Sequence, residues 1–388
     1  MKYSKMLKNN IFFEILQVAI GVRTELSYVP VASEWYGIYK QANKQTLIGI
    51  CFYGLQKLPK EQTCNIPTEL KMQWLGMAVQ FQRKNDVLDL RCRELQSLLS
   101  SMGLRSCILK GQGVAALYYD KFKSTDSIGS FRQAGDIDVW VDGNINEVVR
   151  VLQRNNIKLE SINSVHADAH FFKDTHVEVH FRPSYFFNPY INYKFTKWIT
   201  QNKNFQMSHE SNGIIVPVIE FNIVYLLLHI YRHLFNEGIG LRQVMDYVMV
   251  LRYASDDFQE IKKSVHVIRS FGMERFACAL SWVMQEVFYG NDIVDDSKSE
   301  LFEGIMMFSQ FFSPDEKEGR VLLFEILEGG NFGKFDSRVN HSPKGIWTSG
   351  VASLKRNFKF LCNYHSEIIW MPYWKLWHWG WRKIKGYL

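Results

Sequence analysis

The stretch Phe131–Val141, "FRQAGDIDVWV", decides how this chain is read. Ile137, Val139 and Val141 alternate with Asp136, Asp138 and Trp140, and side chains at period two mark a β-strand with the aliphatic residues on one face and the aspartates on the other. One face reads as core and the other as a site. Two carboxylates at i and i+2 have Cα atoms about 6.6 Å apart, and at an effective dielectric near 20 their repulsion is of order 3 kcal/mol at ~6 Å. A divalent ion with oxygen ligands relieves it, and Mg²⁺ typically takes one or two carboxylates together with substrate phosphates.

Downstream, "THVEVHF" (Thr175–Phe181) alternates His176, Glu178 and His180 with Val177, Val179 and Phe181. If this strand lies beside 136–141 in one sheet, Glu178 faces the two aspartates. Three carboxylates on adjacent strands could hold a pair of metal ions that activate an attacking oxygen and stabilise a leaving one, which is equipment for phosphoryl or nucleotidyl transfer. Upstream, "GLRSCILKGQGVAALYY" reads as a short strand at about 105–109, a turn at Gly111-Gln112-Gly113 and a short helix. Such a turn brings backbone N–H groups and a helix N-terminus to phosphates. Lys110 and Arg132 are the candidate counter-charges for a triphosphate.

Strand, "LKGQG", helix, an arginine four residues before "DIDVWV", and then the carboxylate of "VEVH" together resemble the DNA polymerase β-like nucleotidyltransferase superfamily. The pattern is most similar to a bacterial branch of largely uncharacterised nucleotidyltransferases, whose order is Lys-Gly, Arg, Asp-x-Asp, Glu-x-His and a helical "H…GxxLRQxxD". That last element corresponds here to His233, Gly240, Leu241, Arg242, Gln243 and Asp246. The resemblance covers roughly 105–250. It implies catalytic, metal-binding roles for Asp136, Asp138 and Glu178, and nucleotide-binding roles for Lys110, Gly111, Gly113, Arg132 and Arg242. It further implies two Mg²⁺ ions, replaceable by Mn²⁺, and transfer of a nucleotide from an NTP, most often ATP, to an unidentified acceptor with pyrophosphate leaving. The superfamily commonly carries Gly-Ser or Gly-Gly at the phosphate turn, where this chain has Gly111-Gln112.

The expected fold class is α+β: a small mixed β-sheet nucleotidyltransferase core flanked by N- and C-terminal helical segments. The expected divisions are a helical segment over 1–100, the α/β core over 101–210, a helical domain over 211–330 that closes over the nucleotide, and a loop with a basic aromatic tail over 331–388. Within the core, "NINEVVRVLQRNN" predicts a helix capped by Asn144, and "HADAHFFKDTHVEVHF" predicts two strands around a turn at Lys173-Asp174.

With 47% hydrophobic and 22% charged residues over 388 positions, the chain is an ordinary folded protein of two or three domains, not a disordered one. Its longest apolar run, "FNIVYLLLHIY" at 221–231, falls well short of the roughly 18 residues a membrane span needs. The opening "MKYSKMLKNNIFFEILQVAIGV" imitates a signal peptide, but Glu14 and Gln17 interrupt its apolar stretch, so it is expected to form an amphipathic first helix. Six scattered cysteines without a CxxC pair fit a reducing cytoplasm and give no zinc-ligand spacing.

The formal charge of +7 is concentrated: residues 351–388 hold seven Lys/Arg against one Glu, a local +6. The body is near neutral, which argues against a nucleic-acid groove. In the tail, "IIWMPYWKLWHWGWRKIKGYL" places Trp370, Trp374, Trp377 and Trp381 on one helical stripe with Lys375, His378, Arg382 and Lys385 along the adjoining arc. The stripe either packs on the protein body or a partner, the favoured reading, or gives 366–388 a peripheral contact with the inner membrane face. His229 and His233 are spaced i, i+4 in an apolar helix without the Glu of a metalloprotease motif, which favours a core or capping role. Arg242 and Asp246, also i, i+4, read most simply as a helix-surface ion pair, with a substrate-facing Arg242 as the alternative.

Overall fold

A computed structural model describes residues 10–121, 128–207, 209–211, 213–290, 303–331, 357 and 360–387. The loop expected at the start of 331–388 lies outside them beyond residue 331, as do residues 1–9 and the tail cations Lys355, Arg356 and Lys359. The chain forms two compact units assembled from interleaved pieces: the first from 1–85, 117–133 and 237–340, the second from 86–116, 134–236 and 341–388. It passes from one to the other inside the helices Thr68–Ser101 and Gln112–Lys121.

The first unit is helical among its described residues. Helix Ile11–Ala19, expected to be amphipathic, is buried along its whole length. Its two polar residues are satisfied inside the fold: Glu14 accepts from the Ser27 backbone N–H and hydroxyl, both at 2.7 Å, and Gln17 donates to the Val287 carbonyl at 3.1 Å. A buried polar group that keeps its hydrogen bonds costs little, so the hydropathy pattern overstated the solvent face. Helix Leu241–Tyr253 starts at Gly240, whose N–H donates to the Gln243 side chain at 3.0 Å in place of a solvent contact.

The second unit carries the sheet. Strands β1 (Ser106–Ile108), β2 (Ile137–Val141), β3 (Leu159–Glu160), β4 (His166–Ala169) and β5 (Val177–His180) are ordered β1-β2-β5-β4-β3. β2 pairs antiparallel with β1 and parallel with β5, and β5 pairs antiparallel with β4 across the expected turn. Two further strands, β6 (His209–Ser211) and β7 (Ile214–Val216), form a separate hairpin. The protein is therefore α+β, with a small mixed sheet and helices on both sides of it in sequence.

β2 is buried on both faces, including Asp138 and Trp140. Central strands of mixed sheets with a parallel neighbour are commonly covered on both sides. Here helix Ile219–Asn236 supplies Phe221, which stacks on Trp140 with ring centroids 5.4 Å apart and on Trp198 at 5.5 Å. The face read from alternation as a site is thus open only toward its Asp136 end, where the side chain is partly exposed. Helix Ile145–Arg154 begins as expected, with the Asn144 side chain accepting from the Glu147 N–H at 3.0 Å.

Candidate active site

Strand register assembles the site. Asp138 is the Cα partner of Glu178, and Glu178 that of Asp168, so three acidic positions line up across β2, β5 and β4 on one face of the sheet. One step along, Trp140, His180 and His166 form the next row. Asp136, just before β2, completes a cluster in which one ligating atom each from Asp136, His176 and Glu178 lie within 4.8 Å of one another. A second cluster of the same kind is His166, Glu178 and His180.

Asp138 has different company. Its Oδ1 receives Lys110 Nζ at 3.1 Å and His180 Nε2 at 2.9 Å, and the side chain is 1% exposed. His180 Nε2 also lies 3.4 Å from Glu178, whose carboxylate is 3.9 Å from His166 Nδ1. Burial works against the charge of Lys110, but Asp138, then Tyr225, Asp136 and Glu178, outweigh it and hold the ammonium above its ordinary range. Burial likewise opposes ionisation of Glu178, yet the His180 hydrogen bond and the fields of His166 and Lys110 bring its carboxyl down to about 2. His180, against burial, is raised by its bonds to Asp138 and Glu178. The deepest carboxylate, Asp138, thus meets its counter-charges from within the chain, while Asp136, His176 and Glu178 keep their outer side open.

That outer group has donors suited to a divalent cation, two carboxylates and an imidazole, with remaining positions left for water or phosphate oxygen.

The turn at Lys110-Gly111 is positioned by the same sheet. Leu109 N–H donates to the Asp138 carbonyl at 2.9 Å, and Gly111 takes a left-handed φ of +63°, where a side chain would be strained. Gly113 answers a steric demand, since a Cβ there would sit 2.4 Å from the Ile108 carbonyl oxygen. It is a close-approach glycine between the helix start and β1. Gln112, which departs from the family pattern, is buried and donates to Asp89 on helix Thr68–Ser101.

The two remaining candidates lie in the first unit. Arg132 is 4% exposed and forms a two-pronged pair with Asp246, both contacts at 2.7 Å, and Tyr118 also donates to Asp246 at 3.0 Å. Arg242 donates to the Gln133 carbonyl at 2.8 Å. The simple reading of Arg242 and Asp246 as a surface ion pair is thereby corrected: Asp246 points into the unit toward Arg132, because a buried guanidinium without a carboxylate would be far costlier.

His229 and His233 meet edge to face with ring centroids 4.3 Å apart, and burial, then His233 itself, push His229 well below the ordinary histidine range, which keeps it neutral in the core. Sequence reasoning passed over His166, Asp168 and Tyr225. The alternation in "HADAH" carried the signal for the first two, whereas nothing local singles out one tyrosine of an apolar helix.

Residues 32–289 match the family described as uncharacterised nucleotidyltransferase, and the chain belongs to that family. No curated protein matches. Among solved structures, an antigenic nucleotidyltransferase-like protein from Paracoccidioides brasiliensis is similar at 12% identity and a TM-score of 0.30, over 47% of this chain and 88% of that one.

Proposed function

We propose that the protein transfers a nucleotide from an NTP, ATP by preference, to an acceptor hydroxyl with release of pyrophosphate, using divalent metal held by Asp136 and Glu178 with Asp138 behind them. The observation that carries this reading is the parallel register of β2 and β5, which makes Asp138 and Glu178 partners, together with the gathering of Asp136, His176 and Glu178 within 4.8 Å. When bound, the metal would supply charge neutralisation at the phosphates and a lowered barrier to acceptor deprotonation. Lys110, at the mouth of the Gly111 turn, would neutralise phosphate charge, and the turn's backbone N–H groups would orient the phosphate chain. Glu178, held ionised by its neighbours, is suited to fix the divalent ion that would lower the acceptor hydroxyl's pKa.

One observation favours a second reading, a nucleotide- or partner-binding protein on the same fold: Asp138 Oδ1 is already engaged by both Lys110 and His180. Pyrophosphate release from NTP with lysate-derived acceptors separates the two. Glu178→Gln is expected to leave NTP affinity within a few-fold and to lower release at least ~10²-fold, about 3 kcal/mol of transition-state stabilisation. Equal rates would remove Glu178 from the mechanism. Metal-dependent NTP binding with no wild-type release from any acceptor would establish the binding protein.

A further inference from the structure

The tail provides a surface apart from the residues assigned to the proposed nucleotide transfer. Helix Met371–Lys385 contains no acid and four cations, Lys375, Arg382, Lys383 and Lys385. The tryptophan stripe read from sequence divides in two. Trp374 turns inward, stacked on Tyr185 at 4.2 Å and 4° and against Phe187 at 5.6 Å, and the His378 ring lies on it at 4.7 Å. Trp370 and Trp377 turn outward. With Tyr373, Leu376 and Ile384 they form an apolar arc along one side of the helix, and Leu376 and Ile384 are 66% and 87% exposed.

A groove of about 480 Å³ opens beside this arc, lined by Trp370, Tyr373, Trp374 and Trp377 from the tail and by Tyr193 and Arg182 from the body. Tyr193, on helix Pro189–Gln206, is itself 66% exposed and extends the aromatic surface beyond the tail. Arg182 is the groove's cation. Its guanidinium has no ion pair or hydrogen bond among the described residues, and burial alone lowers its pKa. A half-buried arginine that faces no carboxylate is open to an anion from outside, and its planar fork matches a phosphodiester.

We infer that this face, the outer arc of helix Met371–Lys385 together with the Arg182 groove, docks the protein on an anionic phospholipid bilayer. Trp and Tyr gain at the headgroup level, where one end of the ring is wet and the other apolar, while Leu376 and Ile384 reach the acyl boundary. The acid-free flank meets the negative surface potential, and a lipid phosphate sits at Arg182. Contact is confined to the interface, because no described helix is long and apolar enough to cross a membrane. The charge complementarity selects a lipid surface over a second copy of the chain, whose own tail would bring the same cations to the contact.

The test uses the full chain and sedimentation with vesicles of phosphatidylcholine, with and without phosphatidylglycerol, while tryptophan emission is recorded. The wild type is expected to pellet with the anionic vesicles, with emission shifted to the blue and binding that weakens as salt rises. The double variant Leu376→Ser/Ile384→Ser, at positions too exposed to matter for folding, is expected to bind about 100-fold more weakly. Arg182→Gln is expected to bind anionic vesicles about fivefold more weakly, with its circular dichroism unchanged. Equal binding to neutral and anionic vesicles, or no binding to either, would overturn the inference. So would a wild-type dimer in light scattering that the double variant dissolves, since the arc would then be covered by a second copy.

Discussion

Replacing Asp138 by Asn tests how the site is neutralised, because two views of it predict opposite signs. If the carboxylates of Asp136, Asp138 and Glu178 chiefly repel one another until a metal binds, removing one charge should stabilise the metal-free protein by up to the roughly 3 kcal/mol estimated for a pair at ~6 Å. The contacts of Asp138 argue the reverse. Its Oδ1 lies 3.1 Å from Lys110 Nζ and 2.9 Å from His180 Nε2, with the carboxylate 1% exposed and the Lys110 side chain 22% exposed. At 3.1 Å and an effective dielectric near 20 the Lys110 pair alone attracts by about 5 kcal/mol. Breaking a buried pair by removing one partner costs about 3–5 kcal/mol. Asn retains one hydrogen bond and Lys110 keeps some water, which brings the expected loss to about 2–3 kcal/mol.

The measurement is urea unfolding in EDTA, followed by circular dichroism, for the wild type, Asp138→Asn, Lys110→Met and the double variant. A coupling of about 1 kcal/mol or more between the two positions is expected from the cycle. A wild-type or higher unfolding midpoint for Asp138→Asn in EDTA would refute the internal-neutralisation argument and restore the repulsive view.

Glu367, 2% exposed, accepts from the Phe187 N–H at 2.7 Å and the Asn188 N–H at 3.4 Å, and burial raises its pKa from 4.5 to about 7 in spite of those bonds. The folded state therefore holds the proton more tightly than the unfolded state, so stability is highest below about pH 4.5 for this group and falls as pH rises toward 7, by about 3 kcal/mol in all. Unfolding midpoints across that range should decline in the wild type, and Glu367→Gln should flatten the part of the slope this group supplies; an unaltered slope would remove Glu367 as its source. In the first unit, Asp246→Leu is expected to cost about 3–5 kcal/mol by leaving Arg132 buried and unpaired, and Arg132→Met/Asp246→Leu to recover most of it. A double variant as unstable as the single one would show that the loss comes from packing instead of charge.

Much about this protein is local and therefore readable from the chain. Alternation at period two announces β2 and β5, an asparagine before an apolar helical pattern announces the helix at Ile145, and the ordered motifs from Lys110 to Asp246 announce the family. The same alternation puts Asp136 with Asp138, and His176 with Glu178 and His180, on one side of their strands, because backbone geometry alone sets where successive side chains point.

What no local rule contains is which strand lies beside which and what covers the sheet. The register that makes Glu178 the partner of Asp138 exists only once β5 has docked parallel to β2. The burial of Trp140 depends on Phe221, which arrives from a helix some eighty residues later in the chain. Partner choice among charges is likewise tertiary: Arg132 could have met Asp136 nearby and instead meets Asp246, and Lys110 and His180 converge on Asp138 from opposite ends of the core sequence. The tail divides for the same reason. Helical spacing places four tryptophans on one stripe, but only the docking of Trp374 against Tyr185 and Phe187 decides that Trp370 and Trp377 stay in solvent. A long-range contact depends on the free energy of the whole packed arrangement, and a window of sequence carries only its own share of that sum.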